Sequence, residues 1–319
     1  ATATAFAAAL KANTGFNELA DYSPSAQGYP ELPGLASRPL LGIDGEPNGV
    51  YELAVASYTK TGARATTKYA LGGLTVLTID TNAGARTVSV VKTIKPGTAD
   101  LYLNEFNFDA DFDLNGQTGP LGVISDSVDV GTTGEDDFNP AEGQLAFGLQ
   151  GADSLTAGAV PSSEGVLPSM LFGGADGDTY KSVEGSFALI VDSGTSGTDV
   201  LELDWLDLSQ TKAQLQSDGI TGTVIDGIAL RIQRTIDGVV TDGVIIAGYN
   251  AGQKSSPIEQ VVGSDGALRT FKDAVGKLTL TATSTFAKEY GLTKAVVDNS
   301  LTALRSIEAG YAAAAQTLL

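Results

Sequence analysis

The sequence contains no cysteine and no histidine, and it has one methionine and one tryptophan among 319 residues. Without cysteine there is no disulfide bond, no thiolate nucleophile and no zinc ribbon. Without histidine there is no Ser-His-Asp or Cys-His arrangement and no HExxH zinc protease. Enzyme chemistry would have to rely on carboxylate pairs, lysine or Ser-Lys arrangements, and no spacing in the chain indicates one. The sequence therefore predicts a protein that is not an enzyme.

Positive charge is also scarce, since 19 Lys and Arg stand against 38 Asp and Glu, for a formal net charge of −19. We expect no binding to nucleic acid, because neutralising phosphates requires patches of Lys and Arg. No apolar run approaches the about 18 residues that a membrane-spanning helix needs, so no membrane insertion is expected. A high density of carboxylates is typical of proteins that bind hard cations. The alternative interpretation is an adaptation to solubility or salt.

Hydrophobic patterning divides the chain into four predicted regions, which are an N-terminal helix with a Pro-rich arm (1–49), a small β domain (50–147), a second β region (148–275) and a C-terminal strand and helix (276–319). Residues 23–49 carry five prolines and are interpreted as an extended connector. Alternating apolar and polar residues from Val50 to Ile94 predict a small antiparallel sheet. Asp237–Gly238 predicts a hairpin, and apolar residues at helical spacing predict a helix from about Lys294. The predicted fold class is all-β or β-dominated, with short helices at both termini.

The stretch "DFDLNG", residues 111–116, predicts a calcium loop, because alternate oxygen-bearing side chains followed by a glycine suit a tight turn around the ion. The carboxylate that completes an EF-hand loop at the twelfth position is absent, since that residue is Gly122, so Asp109 or Asp126 would have to replace it. The alternative is a solvated acidic turn without metal. The candidate calcium ligands of this loop are Asp109, Asp111, Asp113, Asn115 and Gln117.

A second acidic pattern, "GGADGDTYK" at residues 173–181, has glycines at positions one and two, Asp178 at position six and Tyr180 at position eight. "GLQGADSLT" at 148–156 places Asp153 at the same sixth position. Glycine permits the turn, and the Asp side chain with turn carbonyls can hold an ion. A Gly-Asp turn without metal fits the same pattern. The candidate calcium ligands of this pattern are Asp153, Asp176 and Asp178.

These two copies resemble the nonapeptide G-G-x-G-x-D-x-U-x of RTX proteins, although Asp176 and Gly177 are exchanged relative to that pattern. Residues 178–209 and 243–266 also resemble the segments that follow such repeats. The resemblance implies a degenerate β-roll or β-sandwich that binds calcium, and secretion by a type I pathway through a C-terminal signal. Residues 51–119 resemble a repeat of large secreted cyanobacterial and marine bacterial proteins, in which a "Y-x-L-A-V" strand opens a sheet and a "D-L-N-G" loop closes it.

The sequence and these resemblances together predict an extracellular or cell-surface protein that binds calcium and self-assembles into a surface layer, filament or matrix. Its partner would then be further copies of the same chain. One alternative is a monomeric, calcium-stabilised adhesin that binds a surface glycan, or the scaffold of a secreted hydrolase. A further alternative is a viral tail or capsid protein, which the acidic Ala, Gly and Thr-rich composition also fits.

Overall fold

The computed structural model describes residues 35–41, 47–61, 68–80, 87–108, 110–112, 119–122, 128–140, 144–159, 168–192 and 196–317. The chain divides into two compact units, of which the first comprises residues 1–125 with 299–303 and the second residues 126–298 with 304–319. The sequence predicts a boundary at 147/148, whereas in the structure residues 126–147 belong to the second unit. The predicted N-terminal helix lies outside the described residues.

The first unit contains a four-stranded antiparallel sheet in the order β1-β2-β3-β4. Its strands are β1 (Leu35–Leu41), β2 (Pro47–Thr61), β3 (Lys68–Asp80) and β4 (Thr87–Ile94). On one face Ala54, Ala56, Leu74 and Val76 point to a common core. Leu53, Val55 and Leu77 on the other face are buried as well. The predicted small antiparallel sheet is therefore confirmed.

Strand β1 corrects the interpretation of residues 35–41 as part of an extended connector. Its residues pair with β2, and Pro39 lies opposite Tyr51. Proline has no backbone N–H to donate, and it is tolerated in a strand at the edge of a sheet. The prolines hid this strand from sequence analysis because they are usually read as breaks in secondary structure.

Helix α1 (Ala99–Phe108) follows the sheet and contributes Leu101 and Phe108 to the same core. A short 3-10 turn at Pro120–Gly122 comes next along the chain. The loop between these elements begins with Phe112, which is fully buried. The backbone N–H of Phe112 donates to Glu105 Oε1 at 3.0 Å, and its carbonyl accepts from the Tyr58 hydroxyl at 2.9 Å. The start of the predicted calcium loop is thereby fixed to helix α1 and to the sheet.

The second unit is strand-rich and contains two sheets. Its strands are β5 (Val128–Val130), β6 (Asp137–Phe138), β7 (Leu145–Phe147), β8 (Ser154–Thr156), β9 (Ser169–Phe172), β10 (Thr179–Ser182), β11 (Phe187–Val191), β12 (Val200–Leu203), β13 (Ile220–Ile225), β14 (Ala229–Ile236), β15 (Val239–Ala247), β16 (Gln260–Gly263), β17 (Leu268–Thr270) and β18 (Leu280–Ser284). One sheet has the order β18-β13-β14-β15-β11-β9-β7-β5, and the other has the order β17-β16-β12-β10-β8-β6.

From β5 to β12 the chain alternates between the two sheets, so that odd-numbered strands lie in the larger sheet and even-numbered strands in the smaller one. Neighbouring strands in this part are parallel in both sheets. Leu155, Tyr180 and Leu201 of the smaller sheet share a buried core with Leu171 and Ile190 of the larger one. This arrangement stacks each connection from an odd to an even strand on the next such connection.

Strands β13, β14 and β15 are antiparallel and interrupt this alternation before the chain enters β16. Their turns contain Asp226–Gly227 and Asp237–Gly238, and all four residues have positive φ angles between 49° and 81°. Two consecutive left-handed residues are what a tight two-residue hairpin turn needs, and Asp-Gly supplies them readily. The hairpin predicted at Asp237–Gly238 is confirmed.

Four further helices belong to the C-terminal half, and three of them are short. They are α2 (Lys212–Ser217), α3 (Phe271–Lys277), α4 (Phe286–Tyr290) and α5 (Lys294–Thr317). Threonine side chains cap the N-termini of the first three, which are Thr211, Thr270 and Thr285. The predicted C-terminal helix is confirmed, and its residues Val297, Leu301, Leu304 and Ile307 are buried. None of the helices in the described ranges is long and apolar enough to cross a membrane.

Candidate metal centre in the acidic turns

Five connections lead from the larger sheet to the smaller one, each of them ends on an acidic residue, and we call them the acidic turns. They comprise residues 131–136, 148–153, 173–178, 192–199 and 248–259. The strand register aligns their first residues, which are Gly131, Gly148, Gly173, Asp192 and Gly248. It also aligns their last residues, which are Asp136, Asp153, Asp178, Asp199 and Glu259. The first residues of the turns thus lie in one stack, and their last residues, all of which carry a carboxylate, lie in a second stack.

The closing carboxylates form a ladder of hydrogen bonds from one turn to the next. The backbone N–H of Asp136 donates to Asp153 Oδ1 at 2.8 Å, and that of Asp153 donates to Asp178 Oδ1 at 2.9 Å. The N–H of Asp178 donates to Asp199 Oδ1 at 2.9 Å, and that of Asp199 to Glu259 Oε2 at 2.8 Å. Each accepting carboxylate therefore uses one oxygen to hold the neighbouring turn in register.

The second oxygen of Asp153 and of Asp178 points toward the glycine that opens its own turn. These two residues are 2% and 0% exposed, and the Oδ2 atom of each is buried and has no hydrogen-bond partner within the described residues. A Cβ atom added to Gly173 would collide with Asp178 Oδ2 and with the Tyr180 hydroxyl, and one added to Gly148 would collide with Asp153 Oδ2. The same added Cβ on Gly148 would lie 2.5 Å from the carbonyl oxygen of Gly173. Carboxylate and carbonyl oxygens thus converge where a side chain is missing.

Three carboxylates come together at the fourth turn. Oxygen atoms of Asp178, Asp192 and Asp199 lie within 4.8 Å of one another, and all three side chains are buried. Tyr180 fixes Asp192, because its hydroxyl donates to Asp192 Oδ2 at 2.5 Å and accepts from the backbone N–H of Gly173 at 2.8 Å. Asp192 occupies the position that is glycine in the other four turns, and its turn is two residues longer than 173–178. This Asp triad has the donor atoms and the spacing to hold a metal ion.

Burial and mutual repulsion disfavour the ionised form of these groups. Burial, together with the charges of Asp153, Asp192 and Asp199, raises the pKa of Asp178 to about 8. Burial likewise raises the pKa of Asp199 to about 7 and that of Asp153 to about 6. A buried carboxylate in this situation needs either a proton or a cation.

Asp242 is a buried carboxylate of the same unit whose charge is balanced by an arginine. It is 0% exposed, and Arg234 Nε donates to its Oδ2 at 2.6 Å. Burial acts to raise the pKa of Asp242, but the hydrogen bonds from Arg234, Thr241 and Gly185 outweigh it and the pKa is lowered. The charges that act most strongly on the Asp triad come instead from other carboxylates. This contrast makes the triad a candidate site for a cation from solution.

The structure places the predicted ligands in different settings. Asp153 and Asp178 lie in the ladder, and Asp178 belongs to the triad. Asp176 is exposed, and its carboxylate faces the Gly151 N–H at 3.4 Å, outside the triad. Asp111 is half-buried at the start of the first-unit loop, beside the anchored Phe112. Asp109, Asp113, Asn115 and Gln117 lie outside the described residues.

Sequence analysis missed four members of the ladder and triad, namely Asp136, Asp192, Asp199 and Glu259. Asp136 had a signal, because "GTTGEDDFN" at 131–139 repeats the spacing of "GLQGADSLT" with Gly131, Gly134, Asp136 and Phe138. The acidic, turn-rich composition of that stretch suggests an exposed loop. Its residues are exposed or half-buried, and its register with residues 148–156 shows in addition that it forms a turn and strand β6. Asp192 breaks the glycine pattern, so only the strand register reveals its position.

A separate cavity of about 580 Å³ is lined by Trp205, Arg234 and Asp237 among others. Trp205 is only 6% exposed and its indole N–H donates to the Ser182 hydroxyl at 2.9 Å, so it packs in the core and offers no flat face to a sugar.

Comparison with known protein families gave no matching family model, and comparison with curated proteins gave no match. The acidic turns therefore carry the functional argument.

Proposed function

We propose that the protein is a secreted structural protein whose acidic turns bind calcium, and that calcium stabilises its second unit. The observation that carries this proposal is the fully buried Asp178, whose Oδ2 has no hydrogen-bond partner in the described part of the chain and which lies in the triad with Asp192 and Asp199. An ionised carboxylate buried without a counter-charge is strongly destabilising. A bound cation would neutralise the charge of the carboxylate and link successive turns.

The stacked part of the second unit is proposed to be a β-roll of the RTX type. Support comes from the alternation of strands between two sheets, their parallel pairing and the position of the acidic turns between odd and even strands. The antiparallel strands β13 to β15 depart from such a roll and form an insertion between its fourth and fifth turns. The proposed roll is accordingly short and degenerate, as the two imperfect sequence copies implied.

Calcium is the cation that this donor set favours. The triad supplies carboxylate oxygens, turn carbonyls lie beside the neighbouring carboxylates, and the chain has no histidine or cysteine to attract zinc or copper. Calcium accepts six to eight oxygen ligands in flexible geometry, whereas magnesium demands a near-ideal octahedron and keeps several waters. A calcium site of millimolar or tighter affinity would be filled outside the cell, which fits the proposed extracellular location.

Asp178→Asn is expected to abolish calcium binding at the triad without harming the calcium-free protein. Asparagine keeps the shape and the oxygen that accepts from Asp153, but it removes the buried charge. In chelator the variant should unfold at the same temperature as the wild type or higher, while the calcium-induced rise is lost. Calorimetric calcium titration and thermal unfolding with and without calcium measure both effects.

Asp242→Asn is the matched control, because Asp242 is equally buried but is paired with Arg234. This variant removes the charge that pairs with the half-buried Arg234, which keeps its ion pair with Glu184 at 2.7 Å, so we expect a loss of about 2 kcal/mol in the free energy of unfolding with or without calcium. Its calcium-induced rise should persist. An Asp178→Asn protein that binds calcium as the wild type does would contradict the metal assignment.

We further propose that the protein self-assembles and is located at the cell surface. The last strand of the four-stranded sheet, β4, exposes Val90 and Val91, which are 39% and 51% exposed. Apolar residues on an edge strand are suited to pairing with another chain. We expect calcium at a few millimolar to convert the purified protein into large ordered particles, and light scattering with and without chelator tests this. A calcium-stabilised monomer would favour the adhesin alternative.

The loop at residues 111–117 is proposed as a second, independent calcium site in the first unit. Phe112 and Glu105 fix the start of this loop, so that the side chains of its first residues would be held in place before the ion binds. Its ligands other than Asp111 lie outside the described residues, and the proposal rests on their spacing in the sequence.

A further inference from the structure

Strand β4 of the first unit combines exposed apolar residues with lysines at the edge of its sheet. Val90 and Val91 are 39% and 51% exposed, and β4 pairs with β3 alone among the described strands. Lys92 follows the two valines directly, and Lys95 is exposed immediately after the end of the strand. Lys92 lies 3.8 Å from Asp100 in an exposed ion pair, which contributes little to stability and leaves the ammonium group open to another partner.

The second unit offers an acidic surface, which is the cavity of about 580 Å³ beside Trp205. Its lining includes three carboxylates and one cation, which are Asp207, Asp218, Asp237 and Arg234. The guanidinium of Arg234 is already neutralised, since it donates to Asp242 at 2.6 Å and to Glu184 at 2.7 Å. The lining carboxylates therefore leave the cavity with an excess of negative charge.

The hairpin of β14 and β15 adds exposed apolar residues at the rim of this cavity. Ile236 lines the cavity and pairs with Val239 across the hairpin, and these residues are 48% and 64% exposed. A cavity of this volume lies in the range of about 300–1,000 Å³ that accommodates small ligands, so a lysine side chain can enter it. Two apolar side chains beside carboxylates are complementary to the two valines beside lysines on β4.

The distribution of charge between the two units favours a contact between these unlike surfaces. The first unit carries 8 basic and 12 acidic residues, and the second carries 11 basic and 26 acidic residues. Two copies that met through their second units would bring two strongly negative surfaces together. Two copies that met through β4 would bring their lysines together, and lysines on an edge strand oppose such pairing. A contact from β4 to the acidic cavity avoids both repulsions.

We propose that β4 of one copy docks at the acidic cavity of another copy, so that its lysines meet the cavity carboxylates and its valines meet Ile236 and Val239. Each copy offers both surfaces, and the contact can therefore repeat from copy to copy. Such heterologous contacts build rings or open filaments rather than two-fold dimers. This inference rests on the proposed self-assembly and names the two surfaces that carry it.

Reciprocal charge reversal tests this contact in millimolar calcium, with particle size measured by light scattering. One variant carries Lys92→Glu with Lys95→Glu, and the other carries Asp218→Lys with Asp237→Lys. Each variant alone should need at least about 10-fold more protein than the wild type to assemble, because like charges then meet at the contact. An equimolar mixture should assemble as the wild type does, since the acidic β4 of one variant fits the basic cavity of the other.

Lys212→Glu with Lys272→Glu is the matched control, because it adds the same negative charge at exposed positions of helices α2 and α3 that do not line the cavity. It should assemble as the wild type does. Asp237 has a positive φ angle, which asparagine tolerates better than lysine. Asp218→Asn with Asp237→Asn is therefore a milder cavity variant, and it should also weaken assembly. Thermal unfolding in chelator verifies that each variant is folded.

Two results would overturn the contact while leaving self-assembly in place. The first is wild-type assembly of both cavity variants, which would mean that β4 docks elsewhere or takes no part. The second is a mixture of the two folded charge-reversed variants that stays monomeric. If the wild type binds calcium in a calorimetric titration but forms no particles, self-assembly itself fails and the calcium site stands.

Discussion

In chelator the protein is expected to be more stable at pH 5 than at pH 8, and millimolar calcium is expected to narrow this difference. Burial raises the pKa of folded Asp178 to about 8 and that of Asp199 to about 7, whereas unfolded aspartate titrates near about 4. Between these values the folded protein keeps protons that the unfolded chain has lost. The free energy of unfolding therefore falls as the pH rises from about 4 to about 8.

Calcium acts in the opposite direction over the same pH range. It binds the ionised carboxylates and must displace their protons at low pH, so its stabilising effect grows as the pH rises. At a hundredfold excess over its dissociation constant one ion contributes about 2.7 kcal/mol. For a unit of this size that corresponds to a rise of about 5–10 °C in the unfolding temperature at pH 8, with a much smaller rise at pH 5.

Thermal unfolding at the two pH values, each with calcium and with chelator, measures all four quantities. Magnesium at the same concentration is the control for ionic strength and for general binding to a chain of net charge −19, and it should raise the unfolding temperature far less. Equal calcium effects at pH 5 and pH 8 would mean that calcium binds groups other than the buried carboxylates. No calcium effect at either pH would mean that the site does not bind calcium.

The sequence predicted the local elements whose pattern is short-ranged. The helical spacing of apolar residues in helix α5 and the left-handed preference of Asp237–Gly238 are properties of neighbouring residues, and both predictions are confirmed. Sequence analysis did not predict strand β1, because its pairing with β2 is a tertiary interaction that outweighs the presence of Pro39. Propensity carries no information about which strand a segment pairs with.

The site was predicted only as far as each turn carries its own signature. Asp153 and Asp178 end six-residue turns that open with a glycine, whereas Asp199 ends an eight-residue turn and Glu259 a longer one. Asp199 and Glu259 meet in the ladder although 60 residues separate them in the sequence. Only the strand register brings them together. A sequence pattern of fixed spacing cannot express such a contact.

Gly173→Ala is expected to destabilise the second unit strongly, although it adds only one methyl group. The new Cβ would collide with Asp178 Oδ2 and the Tyr180 hydroxyl, and neither group can retreat easily. Asp178 is held by the N–H of Asp153 at 2.9 Å, and Tyr180 by Asp192 at 2.5 Å. We expect a loss of about 3 kcal/mol or more in the free energy of unfolding, together with loss of the calcium-induced rise.

Gly276→Ala provides the control for this prediction. Gly276 lies in helix α3, has an ordinary φ angle, and a Cβ added there meets nothing within 4 Å. Alanine in a helix is favoured over glycine by about 1 kcal/mol, so this variant should be as stable as the wild type or more so. Thermal and denaturant unfolding of both variants, with and without calcium, makes the comparison. A Gly173→Ala protein of near wild-type stability would mean that Asp178 is free to move, and a carboxylate that moves so easily would not hold a cation in the position proposed.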